Sequence, residues 1–340
     1  MIRFRVATVL LVAILCEIAN PSFASTQEKE FKQVVTPIPE VHAYLEEALN
    51  VLEQYSVRRN EICWATFREE VFQSAKGASC PAETYEAIRI ALDLLGDHHS
   101  VFLTPNEVEK YKDSKPRTIK EIEGFLIEDQ IAYLKIPSFA SFSAESMNEY
   151  ASKVQNIICK LDTNQVNKWI IDLRGNNGGN MAPMLLGLAP FLDKKSIEMA
   201  FGVEDPNEGA VLYNGSSIKF EGGDFDPCVL SSTPYHIKNP SSPIAILLDE
   251  KTASSGEAVA IAFLGKEHTR TFGQHTGGYT SGNSPFFLSD RALICLSVSY
   301  MRDRLGRVYK EGVVPDVIIE DEGAQIIHSA VEWLKQQEHN

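Results

Sequence analysis

The 340 residues carry a formal net charge of −14, with 32 Lys and Arg against 46 Asp and Glu, and 44% of them are apolar. That supplies core-forming material for one large or two moderate globular domains. No basic patch breaks the acidic balance, which argues against nucleic acid as a partner.

In chain order, Arg3 and Arg5 form a short basic region, and residues 6–16 follow as an apolar run of 11, too short to span a bilayer. Small residues at Ser22 and Ala24 then prepare a cut after Ala24. This pattern predicts a secretory signal peptide over residues 1–24 and a periplasmic or secreted protein. Leu15 is too large for the residue before a lipidated cysteine, which argues against processing at Cys16. No later apolar run is long enough for a membrane span. Cys63, Cys80, Cys159, Cys228 and Cys295 remain, without CxxC or metal-ligand spacing. An oxidising compartment allows disulfides, and Cys63 with Cys80 is the expected pair because both lie in one small helical region. Cys159 and Cys295 sit in apolar runs and are expected to be buried thiols.

Residues 38–103 read as helical. Val41, Tyr44, Leu45, Ala48, Leu49 and Leu52 keep helical spacing, as do Trp64, Phe67, Val71 and Phe72, and then Tyr85, Ile88, Ala91, Leu92 and Leu95. The helical pattern stops at Gly96-Asp97-His98-His99-Ser100. Residues 106–123, rich in Lys and Glu, read as a linker, which divides the mature chain into a helical domain (25–110) and a second domain (111–340). In the second domain 125–127, 131–136 and 169–173 read as strands, with helices at 147–161 and 184–192. An irregular Gly, Ser and Pro-rich region covers 205–239. Residues 244–248 are a strand, followed by a helix after Ser254. Further strands are expected at 270–272 and 293–298, an extended segment at 313–319 and an amphipathic helix at 324–334. Alternating strand and helix predicts an α/β fold with helices covering a sheet.

Four stretches could carry chemistry. In Thr252-Ala253-Ser254-Ser255-Gly256-Glu257 a serine stands on a strand-to-helix turn, where the hydroxyl is exposed and the first helical N–H groups have no intrahelical partner. The same letters also describe a helix N-cap completed by Glu257. Asp172-Leu173-Arg174-Gly175-Asn176-Asn177-Gly178-Gly179-Asn180 follows a buried strand. It is neither GxGxxG nor a P-loop, but its glycine pair lets a backbone come close to a ligand and offer free N–H groups. An ordinary turn held by Asp172 and Arg174 fits it equally. The His98-His99 turn offers a general base or a capping cluster. Adjacent histidines point in different directions and bind one zinc poorly without further ligands. Residues 272–283, dense in Gly and hydroxyl groups, read as a loop.

Taken in order, Leu94-Leu95-Gly96-Asp97-His98-His99-Ser100, Tyr133-Leu134-Lys135-Ile136-Pro137-Ser138-Phe139, Asp172-Leu173-Arg174-Gly175-Asn176-Asn177-Gly178-Gly179, Thr252-Ala253-Ser254-Ser255-Gly256-Glu257, Gly273-Gln274-His275-Thr276-Gly277-Gly278 and Gly312-Val313-Val314-Pro315-Asp316 resemble the S41 serine peptidases, the C-terminal-processing and tricorn-like proteases. The resemblance runs across most of the mature chain. It implies a ClpP/crotonase-like catalytic core, peptide or protein substrates, and no metal or organic cofactor. It implies Ser254 as nucleophile, with the N–H groups of Ser255 and Gly179 (rather than Gly178) as the oxyanion hole. The lysine of the C-terminal-processing branch falls on Tyr279, so the tricorn-like histidine is implied instead, at His99. His98 stands where a neighbouring side chain orients the base, and Glu311 is the candidate third member, offset by about two residues from the family pattern. The segment from Pro105 to Gly124 is too short for the PDZ domain of many relatives, so the chain is similar to the small PDZ-less S41 proteins of secreted bacterial type. The alternatives are a non-catalytic binder of apolar ligands or peptides on the same fold, and a small-ester hydrolase using the same residues. Oligomeric state is not legible.

Overall fold

The computed structural model describes residues 38–112, 119–192, 197–202, 209–220, 228–320 and 323–337. The expected signal peptide, with Cys16, lies outside the described residues. In chain order the elements are α1 (Pro39–Tyr55), α2 (Trp64–Ser74), α3 (Tyr85–Leu95), β1 (Val101–Leu103), α4 (Pro105–Lys112), β2 (Gly124–Glu128), β3 (Ile131–Lys135), α5 (Ala144–Leu161), β4 (Lys168–Asp172) and α6 (Met181–Leu188). There follow β5 (Ile197–Gly202), β6 (Ala210–Tyr213), β7 (Ser217–Phe220), β8 (Cys228–Val229), β9 (Ile244–Leu248), α7 (Ser255–Phe263), β10 (Thr269–Gly273), β11 (Ser281–Phe287), β12 (Leu293–Arg302), β13 (Val308–Tyr309), β14 (Val317–Ile318) and α8 (Ala324–Gln336). The described residues divide into two compact units. One holds 119–282 and 299–337, the other 38–112 and 283–298.

The larger unit is built on a six-stranded sheet in the order β14-β10-β9-β4-β3-β2. All neighbours are parallel except the edge strand β2. Its central strands are apolar on both faces, as a sheet covered on both sides requires. Trp169, Ile171, Ile246 and Leu248 point to one face, where α5, α6 and α7 pack, and Val211, Ile218 and Phe220 from the antiparallel ribbon β6-β7 join that core. Ile170, Ala245, Leu247 and Phe272 point to the other, where Ile326, Ala330 and Leu334 of α8 cover them. The period-two alternation of strand side chains thus divides one sheet between two cores.

In the smaller unit, Leu45, Leu49 and Leu52 of α1 pack with Phe67 and Val71 of α2 and with Ile88, Ala91 and Leu95 of α3. This is the helical spacing legible in the sequence. Leu288, Ile294 and Leu296 complete that core, and β1 pairs antiparallel with the first residues of β12.

Several expectations need correction. The polar stretch read as a linker begins with a helix, α4, opened by Thr104, whose hydroxyl accepts the Glu107 N–H at 3.3 Å while Glu107 accepts the Thr104 N–H at 2.7 Å. The region read as irregular over 205–239 contains β6, β7 and β8. Residues 281–283, read as loop, begin strand β11. Cys63 and Cys80 are free, exposed thiols, and the Cys63 sulfur faces Thr66 Oγ1 at 3.6 Å. Cys159 is exposed rather than buried. The inward face of α5 carries Tyr150, Ala151, Val154, Gln155 and Ile158, and the next position is rotated by about 100° around the helix, toward solvent. Cys295 is buried, as expected.

Candidate active site

The two turns singled out in the sequence leave the C-terminal ends of neighbouring parallel strands, β4 and β9, whose register pairs Asp172 with Leu247. In open parallel sheets that edge is where ligand sites form. The turn after β4 is fixed first by Asp172, fully buried. It pairs with Arg174 at 2.7 Å, and it accepts the Tyr133 hydroxyl at 2.5 Å. Next comes Asn176, also fully buried. Its amide donates to the Ile136 carbonyl at 3.0 Å and its side-chain oxygen accepts the Gly178 N–H at 3.0 Å.

The turn after β9 is clipped to the first. The Asp249 carboxylate accepts the Gly175 N–H at 3.0 Å and the Thr252 N–H at 2.8 Å, and Thr252 Oγ1 donates to the Leu173 carbonyl at 3.0 Å. Ala253 N–H donates to the Asn176 carbonyl at 3.0 Å. A Cβ on Gly256 would lie 2.3 Å from that same carbonyl oxygen, so the first turn of α7 rests directly on the glycine-rich loop.

Ser254 stands at this junction with φ 51° and ψ −117°, a conformation that costs a non-glycine residue of order 1–3 kcal/mol. Ser254 and Glu257 form a reciprocal cap of α7, in which Glu257 accepts the Ser254 N–H at 2.8 Å. The capping reading of the sequence is therefore right, and it is compatible with a strained, presented serine. Glu257 does more than cap. Fully buried, it also accepts Thr276 Oγ1 at 2.5 Å and the N–H groups of Gly278 and Tyr279 at 2.9 Å each. Burial pushes its carboxyl above the usual range, with the four donors pulling the other way.

Gly178 and Gly179 have φ of 102° and 127°. A Cβ on Gly178 would lie 2.9 Å from Ser254 Cβ, and one on Gly179 would lie 1.8 Å from the Phe139 carbonyl oxygen. Only glycine fits either place. Phe139 bridges to Gly179 in parallel fashion: Phe139 N–H donates to the Gly178 carbonyl at 3.3 Å, and Asn180 N–H donates to the Phe139 carbonyl at 2.6 Å. Gly178 N–H is taken by Asn176, whereas the N–H groups of Gly179 and Ser255 meet no acceptor among the described residues. The Ser255 hydroxyl donates to the Gly179 carbonyl at 2.5 Å.

The histidine turn belongs to the smaller unit. Gly96 ends α3 in the left-handed region, and Arg58 donates to the Leu95 and Gly96 carbonyls at 2.9 Å each. Asp97 organises the turn, accepting the N–H groups of His99 and Ser100 at 2.9 and 2.7 Å and the Ser100 hydroxyl at 2.7 Å. His99 is 3% exposed, and Asn283, held by Ser297, donates to its carbonyl at 2.7 Å. Burial pushes the His99 imidazole down to about 4, the charge of Asp97 opposing this. His98, with φ 55°, is exposed.

Of the residues named from the sequence, Ser254, Ser255, Gly178 and Gly179 come together in the larger unit. Tyr279 joins them through Glu257. Glu311 lies in the same unit on an exposed turn, and its carbonyl faces Gly278. Sequence reasoning gave no role to Asn176 and Phe139, although both lie within its motifs, and it missed Asp249. Asn176 and Asp249 carried a signal, since Asn and Asp after a buried strand are the residues that bind their own turn backbone. Phe139 acts through its backbone N–H and carbonyl, which its place in the motif does not reveal.

A parallel α/β sheet with a strained serine at the start of a helix, beside a glycine turn with an unspent N–H, is an architecture used for acyl transfer to serine. Residues 130–319 match the model of peptidase family S41, and the chain belongs to that family of serine peptidases. The nisin-resistance protein of Lactococcus lactis subsp. lactis is 29% identical over 310 residues, which cover 89% of this chain and 89% of that protein. A lipoprotein structure from Streptococcus agalactiae aligns with a TM-score of 0.66 at 25% identity, over 89% of this chain and 99% of that one. The photosystem II D1 C-terminal processing protease shares the fold, with a TM-score of 0.58 at 15% identity over 85% of this chain and 97% of that one. No described helix is long and apolar enough to cross a membrane.

Proposed function

We propose that the chain is an exported peptidase in which Ser254 is the nucleophile, His99 the general base, and the N–H groups of Gly179 and Ser255 the oxyanion donors. Ser254 Oγ forms a bond to the carbonyl carbon of a peptide while its proton passes to His99. The carbonyl oxygen takes the negative charge against the two N–H groups. The carbon–nitrogen bond then breaks, and His99 returns the proton to the leaving amine. Water releases the acyl group by the same steps. His98 and Glu311 are the candidates for orienting the base.

The observation that carries this reading is the strained Ser254 backbone packed against Gly178, beside a Gly179 N–H with no acceptor among the described residues. A fold that needed only a helix cap would have no use for that strain. Ser254→Ala is expected to abolish peptide hydrolysis and labelling by a fluorophosphonate probe. His99→Ala is expected to lower kcat by a factor of roughly 10²–10⁴. The relative named for nisin resistance makes nisin a first substrate to assay. Retained hydrolysis by purified Ser254→Ala protein would sink the assignment.

A further inference from the structure

We propose that the side chain of Ser255, and not only its backbone, is a positioning residue for the oxyanion donor at Gly179. The inference rests on the catalytic reading above. A role confined to the Ser255 N–H would leave Ser255→Ala close to normal in activity.

No side chain of its own restricts the backbone on either side of Gly179. Glycine at φ 127° has no Cβ to hold it, and Gly178 before it, at φ 102°, has none either. Two peptide planes therefore have to be held by hydrogen bonds. The plane joining Gly178 to Gly179, which carries the proposed donor, is held at its carbonyl end by Phe139 N–H at 3.3 Å, a long bond. The plane joining Gly179 to Asn180 is held at both ends, by Asn180 N–H on the Phe139 carbonyl at 2.6 Å and by the Ser255 hydroxyl on the Gly179 carbonyl at 2.5 Å. Of these restraints only the Ser255 hydroxyl comes from the element that carries the nucleophile. It therefore ties the peptide plane that follows the glycine donor to the helix whose first residue supplies the other donor, and so limits the rotation of Gly179 from its C-terminal side. Ser255 is itself only 9% exposed, so water is a poor substitute for its hydroxyl.

The consequence falls on the transition state rather than on substrate binding. A neutral carbonyl oxygen needs little from a mispointed N–H, but an oxyanion needs it aligned. Removing an oxyanion donor outright costs about 10²–10³ in kcat. Loosening one is expected to cost part of that, roughly 10–100-fold.

The test compares Ser255→Ala and Ser255→Thr with wild type, using Ser254→Ala as the control for the parent reading. The measurements are kcat and KM for a peptide substrate, the inhibition constant of a peptide aldehyde that forms a tetrahedral adduct, and thermal melting. Ser255→Ala is expected to lose kcat and aldehyde affinity by the same factor, with KM changed by less than about threefold. Ser255→Thr, which keeps the hydroxyl, is expected to recover most of both. A Ser255→Ala enzyme with wild-type kcat and aldehyde affinity overturns the inference while an inactive Ser254→Ala leaves the parent reading standing. Equal losses in Ser255→Ala and Ser255→Thr that track a lowered melting temperature also overturn it, because they mark a packing defect. If Ser255→Ala does not purify, the same two ratios are read on Ser255→Thr and Ser255→Cys, where a weaker donor is expected to fall between serine and alanine.

Discussion

His99 differs from an exposed histidine in one measurable respect. Burial pushes its imidazole down to about 4 from 6.5, so the ring stays neutral and able to accept a proton well into the acid range. The acid limb of kcat/KM is therefore expected below pH 6. A limb at 6.5 or higher would show a hydrated ring. The same shift has a stability consequence with a definite sign. Between pH 6.5 and about 4 the unfolded chain binds a proton at this histidine and the folded chain does not, so stability is complete above 6.5 and is lost as pH falls toward 4, by about 3 kcal/mol in all. His99→Gln is expected to flatten that part of a urea-melt pH profile. Much at this scale was legible: the histidine turn, the glycine pair, Ser254, and Glu257 at capping distance. The Ser255–Gly179 and Glu257–Thr276 bonds were not, because they join residues 76 and 19 positions apart, and no local spacing encodes a tertiary partner.

The helix that follows Ser254 is fastened by tight contact rather than by propensity. Gly256 lies within its first turn, and alanine there would gain about 1 kcal/mol in helix preference. Its Cβ would also sit 2.3 Å from the Asn176 carbonyl oxygen, a backbone atom held at both ends of its turn. The clash is expected to win. Gly256→Ala should unfold at lower urea than wild type and lose most of its activity, whereas a higher midpoint would mean that the two turns are not interlocked. Strand β9 and helix α7 could be read directly because a pure apolar run met a turn signal. Strands β6, β7 and β8 could not, being two to four residues long and broken by Gly, Ser and Asn. The start of β11 was hidden by Gly282, Asn283 and Pro285, residues that ordinarily mark a loop. Helix α4 was hidden by its lack of an apolar stripe.

At the scale of the whole chain, the acidic balance and the leading basic–apolar segment bear on destination. Export with cleavage after Ala24 is the proposal, and N-terminal sequencing of exported protein is expected to begin at Ser25. A mature chain starting at a lipidated Cys16 would overturn it, and the Streptococcus agalactiae structure described as a lipoprotein makes that comparison worth running. The three exposed thiols, Cys63, Cys80 and Cys159, would then meet an oxidising milieu unpaired. Family membership was legible because six motifs kept their order, a constraint that no single motif imposes. The composition of each unit was less so: residues 283–298 pack with helices that precede them by some two hundred positions.

The order of the parallel sheet carries a further meaning. Read from one edge, its strands are β2, β3, β4, β9, β10 and β14, which is also their order along the chain. A polypeptide emerging from its N-terminus could lay each strand on the edge left by the last, with two interruptions, the excursions that separate β4 from β9 and β10 from β14, of which the first is the longer. Ser254 and the glycine turn lie at the seam of the first. Until the chain returns from that excursion, the first half presents an open apolar edge and the glycine turn has no serine beside it. Completion of the candidate site is thus a late event in synthesis, and it waits on the step that closes the longest sequence gap in the sheet. On the proposed catalytic reading, a nascent chain is expected to show no peptidase activity before β9 and the turn that follows it have been added to the sheet.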